Sequence, residues 1–82
     1  MIVTVEISMY PLQENYKDLI TAFIERLHTY AGLRINTTAT ATTVIGEYQA
    51  VMRMFSEMLE WSYTAHGKAV FVTKFIPGYD PQ

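Results

Sequence analysis

Strict alternation of side-chain character opens the chain and limits what it can fold into. Two sets of residues interleave, one apolar and one polar: Val3, Val5, Ile7 and Met9 against Thr4, Glu6, Ser8 and Tyr10. Because successive side chains of a β-strand point to opposite faces, this pattern predicts a strand over residues 2–9 with one buried face. Tyr10-Pro11 ends the predicted strand, since proline has no N–H to give to a sheet ladder.

Two stretches change from this period of two to the spacing of a helix. The first covers about residues 15–31, with Asn15 as a candidate N-cap and Gly32 as a C-cap residue. The second covers about residues 47–65 and ends at His66-Gly67. Both carry an apolar stripe on one side, which predicts that they pack on the same core.

The middle of the chain is rich in threonine, with five threonines in the seven residues from Thr37 to Thr43. That run predicts a hairpin with strands near 33–38 and 42–46 and a turn at 39–41, because it is too long for one ordinary strand. A last strand is predicted over residues 68–76. The order βαββαβ predicts a single α+β domain over residues 1–82, of ferredoxin-like type, in which both helices cover one face of a four-stranded antiparallel sheet.

Composition limits the possible partners. A domain of 82 residues without cysteine has a small core and no disulfide to support it, yet half of its residues are hydrophobic and 17% are charged. These values predict self-association through a buried oligomer face. A net charge of −2 argues against nucleic acid. No apolar run is long enough for a bilayer and no basic leader is visible, so we expect no membrane partner and a cytoplasmic location.

Candidate site residues lie on the polar side of the first strand and in the threonine hairpin. Glu6, Ser8 and Tyr10 line up on one face, which is either a solvated sheet face or a short polar pocket. Hydroxyls across the hairpin both donate and accept hydrogen bonds, which suits a ring with both kinds of group on its edge. His28 and His66 lie at helix ends without metal-ligand spacing, so neither a metal nor a cofactor is expected.

Three segments resemble the YkoF-like family of thiamine- and hydroxymethylpyrimidine-binding proteins. They are residues 5–12 (VEISMYPL), residues 42–47 (TTVIGE) and residues 67–74 (GKAVFVTK). The resemblance implies a ferredoxin-like domain that associates through its sheet into a homodimer or homotetramer. It also implies a pocket for thiamine or its pyrimidine half, in thiamine salvage or transport. Some members carry the unit twice in one chain, whereas this chain carries it once.

The resemblance also implies particular binding residues. The family's pocket features fall on Ser8, Tyr10 and Thr42, and Glu6 and Thr38 are physically reasonable additions. Thr43 stands beside Thr42 where the family has one hydroxyl, which leaves open which of the two faces the pocket. Glu6 is a candidate for the amino group or the cation of thiamine, and Tyr10 or Trp61 for stacking or cation–π attraction.

Two other functions stay open from the sequence. One is an enzyme of the dimeric α+β barrel type, which shares the element order and needs a poised histidine or acid pair. The other is a structural or regulatory oligomerisation module without a ligand. No serine sits in a nucleophile elbow and there is no cysteine, so we expect that the chain is not an enzyme.

Overall fold

A computed structural model describes residues 1–81. Its elements, in chain order, are β1 (Ile2–Pro11), α1 (Tyr16–Leu27), β2 (Arg34–Thr37), β3 (Thr42–Glu47), α2 (Tyr48–His66) and β4 (Ala69–Pro77). The strands form one antiparallel sheet in the order β2-β3-β1-β4, with two helices. This arrangement confirms the predicted α+β, ferredoxin-like βαββαβ fold.

The core lies between the sheet and the two helices. The predicted apolar set of β1, Val3, Val5, Ile7 and Met9, is buried there, which confirms the predicted phase of this strand. They pack against the stripes of both helices, whose innermost members include Phe23, Leu27, Val51, Met54 and Met58. The other face of the sheet has no helix, so its polar residues and the exposed side chains of β4 are open to solvent or to a partner.

The first strand extends further than the sequence predicts, because it continues through Pro11, which pairs with Ala69. Hydrogen-bonded and non-bonded pairs alternate along an antiparallel ladder. The Gly78 N–H donates to the Ile2 carbonyl, and the Tyr48 N–H donates to the Met1 carbonyl. Even-numbered residues of β1 therefore bond toward β4, and odd-numbered residues bond toward β3. The nitrogen of Pro11 points to the β3 side, where β3 has already ended, so its missing N–H costs no ladder bond.

The caps of the helices also differ from the prediction. The Asn15 side chain makes no cap hydrogen bond, and α1 ends at Leu27, where tighter turns replace the helix instead of continuing it to residue 31. At the start of α2 the Glu47 carboxylate accepts from the N–H groups of Gln49 and Ala50. A carboxylate there satisfies two free donors and complements the helix dipole.

The residues after β4 cross the helix-free face. Gly78 has φ +77°, which turns the chain back over β1. The Thr4 hydroxyl then donates to the Tyr79 carbonyl at 2.6 Å, and Arg34 on β2 pairs with Asp80 at 2.6 Å. Thr4 is buried although it lies on the helix-free face, as is its β3 neighbour Ile45. The tail therefore covers one end of this face and leaves the end with Glu6, Ser8 and Tyr10 uncovered.

A hydrogen bond from the turns after α1 to α2 predicts a pH-dependent stability. The Tyr30 hydroxyl donates to the Glu57 carboxylate at 2.6 Å, and burial together with this bond raises the pKa of Tyr30. A raised folded-state pKa means that the contribution is present below the unfolded-state pKa of about 10 and is lost as the pH rises through the folded-state value. We expect Tyr30→Phe to lower the free energy of unfolding by about 0.5–1.5 kcal/mol at pH 7. When the pH is raised above about 10, the free energy of unfolding of the variant should fall less than that of the parent. Urea unfolding measures both quantities. Tyr63→Phe, at an exposed position, should change neither quantity.

Among the residues that the structure describes, neither helix combines the length and the apolar character that crossing a bilayer requires.

Candidate ligand-binding cleft

A cleft forms because β1 continues past the end of β3. Pairing with β3 stops at Ile7 opposite Thr42, whereas pairing with β4 continues to Pro11. The four residues 8–11 therefore have a strand neighbour on one side only. The turn of the β2–β3 hairpin, residues 38–41, and α1 enclose the gap on the other side.

The inner part of the cleft combines apolar walls with hydroxyl groups. It has a volume of about 90 Å³ and reaches Ile20, Phe23 and Ile24 of α1. At its sheet side the hydroxyls of Thr37 and Thr42 lie 3.2 Å apart. When one of them donates to the other, the pair still offers one O–H donor and free lone pairs. This pair can therefore both give and receive a hydrogen bond.

The backbone of Met9 adds a second polar group to the cleft. Odd-numbered residues of β1 point their N–H and C=O toward β3, but the register would place Met9 opposite Thr40, which lies in the turn. No described backbone group bonds to Met9 on that side. Met9 lines both parts of the cleft, so its N–H and C=O offer a donor and an acceptor side by side.

The outer part of the cleft is wider and aromatic. It has a volume of about 350 Å³ and is lined by Tyr10, Pro11 and Tyr16, with Ile20 and the turn behind them. The inner and outer parts share Met9, Ile20, Ala39 and Thr40, so they form one continuous groove. Tyr10 and Tyr16 are both exposed at its rim. Their rings are free to stack on a ligand or to attract a cation.

Two of the sequence-predicted hydroxyls shape the turn. The Ser8 hydroxyl donates to the Thr40 carbonyl at 3.2 Å, and the Thr38 hydroxyl donates to the Ala41 carbonyl at 3.2 Å. Each hydroxyl has used its single proton, so toward a ligand it can only accept. Ser8 and Thr38 line the inner part and hold the turn over it.

Glu6 and Thr43 lie outside the cleft. They are opposite each other in the β1–β3 register, on the helix-free face, and the Glu6 carboxylate pairs with Lys74 at 3.4 Å. Thr42 lies on the helix side opposite Ile7 and is buried. The structure therefore brings Ser8, Tyr10, Thr38 and Thr42 to one cleft, and it leaves Glu6 and Thr43 outside it, where β1 still pairs with β3.

The aromatic residue and the histidines considered from the sequence also lie elsewhere. Trp61 packs under the Arg26 guanidinium, 4.7 Å from the ring centroid, and makes an edge contact with His66. His28 follows the last residue of α1, and its backbone N–H donates to the Ile24 carbonyl. None of these three side chains lines either part of the cleft.

Several lining residues have no distinct signal in the sequence. Thr37 was one threonine in a run, Phe23 was a core residue of the helix stripe, and Tyr16 was one position in the first turn of a helix. The N–H and C=O of Met9 lack a partner on the β3 side because β3 ends before it reaches Met9. The position of that end follows from the strand register. The sequence feature that came closest to indicating the aromatic rim was the short separation of Tyr10-Pro11 and Tyr16 along the chain.

The chemical character of the cleft is neutral. Of the described residues, those that line it include no histidine, cysteine, lysine, arginine or carboxylate. Within residues 1–81 no group of three or more histidine and acidic side chains comes together in a way that would hold a metal ion. What the arrangement can do is hold a flat, partly polar molecule through hydroxyls, backbone groups and aromatic faces.

Comparison with known proteins identifies several similar structures. No protein-family model matches the chain, and no curated protein matches it. A Thermotoga maritima protein assigned provisionally to thiamine biosynthesis or salvage has a TM-score of 0.83 at 22% identity, over 92% of this chain and 82% of its own. A Streptococcus pneumoniae protein has a TM-score of 0.86 at 22% identity, over 96% of this chain and 89% of its own. A domain of unknown function from Bacillus cereus has a TM-score of 0.77 at 19% identity, over 99% of this chain and 78% of its own. At these identities the likeness shows that the chain shares their fold.

Proposed function

We propose that the chain is a non-catalytic binding protein for thiamine or its hydroxymethylpyrimidine part, in thiamine salvage or transport. The observation that carries the proposal is the pairing of hydroxyl and backbone donors and acceptors with aromatic groups in one neutral cleft. The resemblance of residues 5–12 to the YkoF-like family supports it, as does the shared fold of the Thermotoga maritima protein.

The inner part of the cleft suits an aminopyrimidine edge. Such a ring carries an amino donor next to a ring-nitrogen acceptor, and the Met9 backbone presents the complementary acceptor and donor. The Thr37–Thr42 pair adds a further donor and acceptor. A cavity of roughly 150 Å³ holds a benzene ring, so the inner 90 Å³ accepts the polar edge of a ring whose body extends outward.

The outer part of the cleft suits the thiazolium of thiamine. Glu6 is committed to Lys74 on the other side of the sheet, so the carboxylate suggested by the sequence does not line the site. Tyr10 and Tyr16 offer the faces of two rings instead, and a fixed cation over a tyrosine gains about 0.5–2 kcal/mol. In this proposal the pyrimidine is held by hydrogen bonds and the cation by aromatic faces.

Two adjacent threonines provide a matched test of the site. Thr42→Val removes a hydroxyl inside the cleft, whereas Thr43→Val makes the same change on the opposite face. A ligand at a hundred times its dissociation constant stabilises the folded state by about 2.7 kcal/mol, which thermal unfolding detects. We expect thiamine and hydroxymethylpyrimidine to raise the melting temperature of the parent and of Thr43→Val, and to raise that of Thr42→Val much less.

Two results of these measurements would contradict the proposal. If neither compound shifts the melting temperature of the parent at millimolar concentration, the cleft does not bind this class of ligand. If both valine variants respond like the parent, binding occurs outside the cleft.

The neutral lining supports binding without catalysis, because the described cleft residues include no histidine, lysine or carboxylate that could activate a serine, threonine or tyrosine hydroxyl. We expect thiamine recovered after prolonged incubation with the protein to be unchanged by chromatography. Conversion of the ligand would favour the alternative of an α+β barrel-type enzyme.

A further inference from the structure

The two edges of the sheet differ in how far they are protected from pairing with another chain. The edge strand β2 has four residues, whereas the edge strand β4 has nine. Strand β4 pairs with β1 in one unbroken register from Ala69 to Pro77, so no bulge interrupts it. Lys74 is its one charged residue, and its one proline is the last residue. Long apolar edges of this kind are templates for strand addition, and proteins usually shorten, charge or bend them.

The backbone groups at this edge are defined by the ladder with β1. Even-numbered residues of β4 bond toward β1, as the bond from Gly78 to Ile2 shows. The outward N–H groups therefore belong to Ala69, Phe71, Thr73 and Phe75. The next outward position is Pro77, which has a carbonyl but no N–H. The edge thus presents a regular row of donors and acceptors along nearly its whole length.

Exposed apolar side chains surround the same edge. The large hydrophobic residues that are left at least two-fifths exposed along β4 and the adjoining side of α2 are Leu59, Tyr63, Val70, Val72, Phe75 and Ile76. A groove of about 410 Å³ lies between α2 and the start of β4, with Leu59 and Tyr63 on one side and Val70 on the other. Apolar surface concentrated at an unpaired edge is typical of an interface.

We propose that β4 pairs antiparallel with β4 of a second copy of this chain, around a two-fold axis at Thr73. This inference does not depend on the ligand of the cleft, and it gives the predicted self-association a defined surface. Pairing around Thr73 overlaps all nine residues, because Ala69 then lies opposite the partner's Pro77. Every outward N–H of one strand meets an outward carbonyl of the other, which a second copy provides without any change of sequence.

The side chains favour this register over its neighbours. Phe71 lies opposite the partner's Phe75, which joins the Phe23–Phe71 contact of one chain to the Phe55–Phe75 contact of the other in one aromatic row. Moving the axis to Lys74 would place two ammonium groups directly opposite each other, which is unfavourable. Moving it to Val72 would shorten the overlap and leave Ile76 unpaired.

Cysteine pairing tests both the surface and the register, because the chain has no cysteine of its own. The register places Val70 opposite the partner's Ile76 as a non-hydrogen-bonded pair, where the Cα atoms are about 4.5 Å apart and within disulfide range. Two copies of residue 70 would be about 20 Å apart at the usual rise per residue. We therefore expect a mixture of Val70→Cys and Ile76→Cys to form the mixed disulfide on mild oxidation, and neither variant alone to form a disulfide-linked dimer.

Controls keep the outcomes distinct. Both residues are exposed, so circular dichroism should show that the variants fold like the parent. A mixture of Val70→Cys with Thr43→Cys, on the same face but on β3, should give no more disulfide than chance collision. A parent that sediments as a monomer at all practical concentrations would overturn the proposal. A parent dimer that yields no mixed disulfide from Val70→Cys and Ile76→Cys would place the interface elsewhere and would also overturn it.

Discussion

Leu27→Ala should destabilise the domain by about 2–5 kcal/mol, the range for removing a fully buried leucine side chain. Leu27 is the last residue of α1 and has no exposed surface. It packs with β1 and α2 residues in the one apolar cluster, so the loss falls on the contact that holds α1 to the rest of the core. Because a domain of 82 residues has a total stability of roughly 4–12 kcal/mol, the change removes a large share of it.

Urea unfolding at a fixed protein concentration measures this effect. Leu12→Ala is the matched control, because it makes the same chemical change at a position that is 64% exposed, and it should alter stability by less than about 0.5 kcal/mol. A loss below about 1 kcal/mol for Leu27→Ala would mean that the end of α1 is not packed into the core as described.

Comparison of the residue pattern of α1, which contains Leu27, with that of the threonine hairpin shows which parts of the fold the sequence predicts well. Helix α1 and strand β1 juxtapose apolar and polar residues at regular spacing, and that contrast specifies which side chains are buried. The core positions of β1 and of both helices were therefore predictable. The ends of elements were less predictable. Whether Pro11 ends its strand and whether Asn15 caps its helix depends on the neighbouring groups as well as on residue type.

The threonine run contains no such contrast. A shift of one residue in a strand moves every side chain to the other face, and alternating threonine and alanine gives no reason to prefer either register. Which of Thr42 and Thr43 faces the cleft therefore depends on the pairing of β3 with β1, where Val44 opposite Val5 anchors the apolar side. The same register leaves Met9 without a partner on its β3 side, so a polar feature of the site arises from where β3 ends.

The tail after β4 is a second feature without a sequence pattern. Its contacts with the helix-free face include a hydroxyl–carbonyl bond and an ion pair, from residues far apart in the chain. Glu6 illustrates the consequence for the site. On a bare sheet face it would be the obvious partner for a cationic ligand, but Lys74 lies opposite it on β4 and neutralises it. In the proposed function, cation recognition in the cleft is therefore assigned to aromatic groups.

The proposed roles of the hydrogen-bonding and aromatic groups predict that two ligands lose affinity to different extents in one double variant. The double change Tyr10→Ala and Tyr16→Ala removes both aromatic faces at the outer part and leaves the hydroxyls and the Met9 backbone in place. Each lost cation–π contact is worth about 0.5–2 kcal/mol, which corresponds to a factor of about 2–30 in affinity. We expect thiamine to bind roughly ten- to several-hundredfold more weakly to the variant, whereas hydroxymethylpyrimidine, which has no fixed cation, should lose much less.

Calorimetric titration of both compounds against the parent and the double variant measures the difference. Tyr63→Ala removes an exposed tyrosine on α2, outside both parts of the cleft, and should leave both affinities unchanged. Equal losses for the two compounds would show that the tyrosines stack on the pyrimidine and do not attract the cation. Unchanged thiamine affinity would place the thiazolium outside the aromatic rim, even if the Thr42→Val result supports the inner part. The pair of ligands thus tests the two halves of the site separately, because the proposal assigns hydrogen-bonding edges to one half and charge to the other.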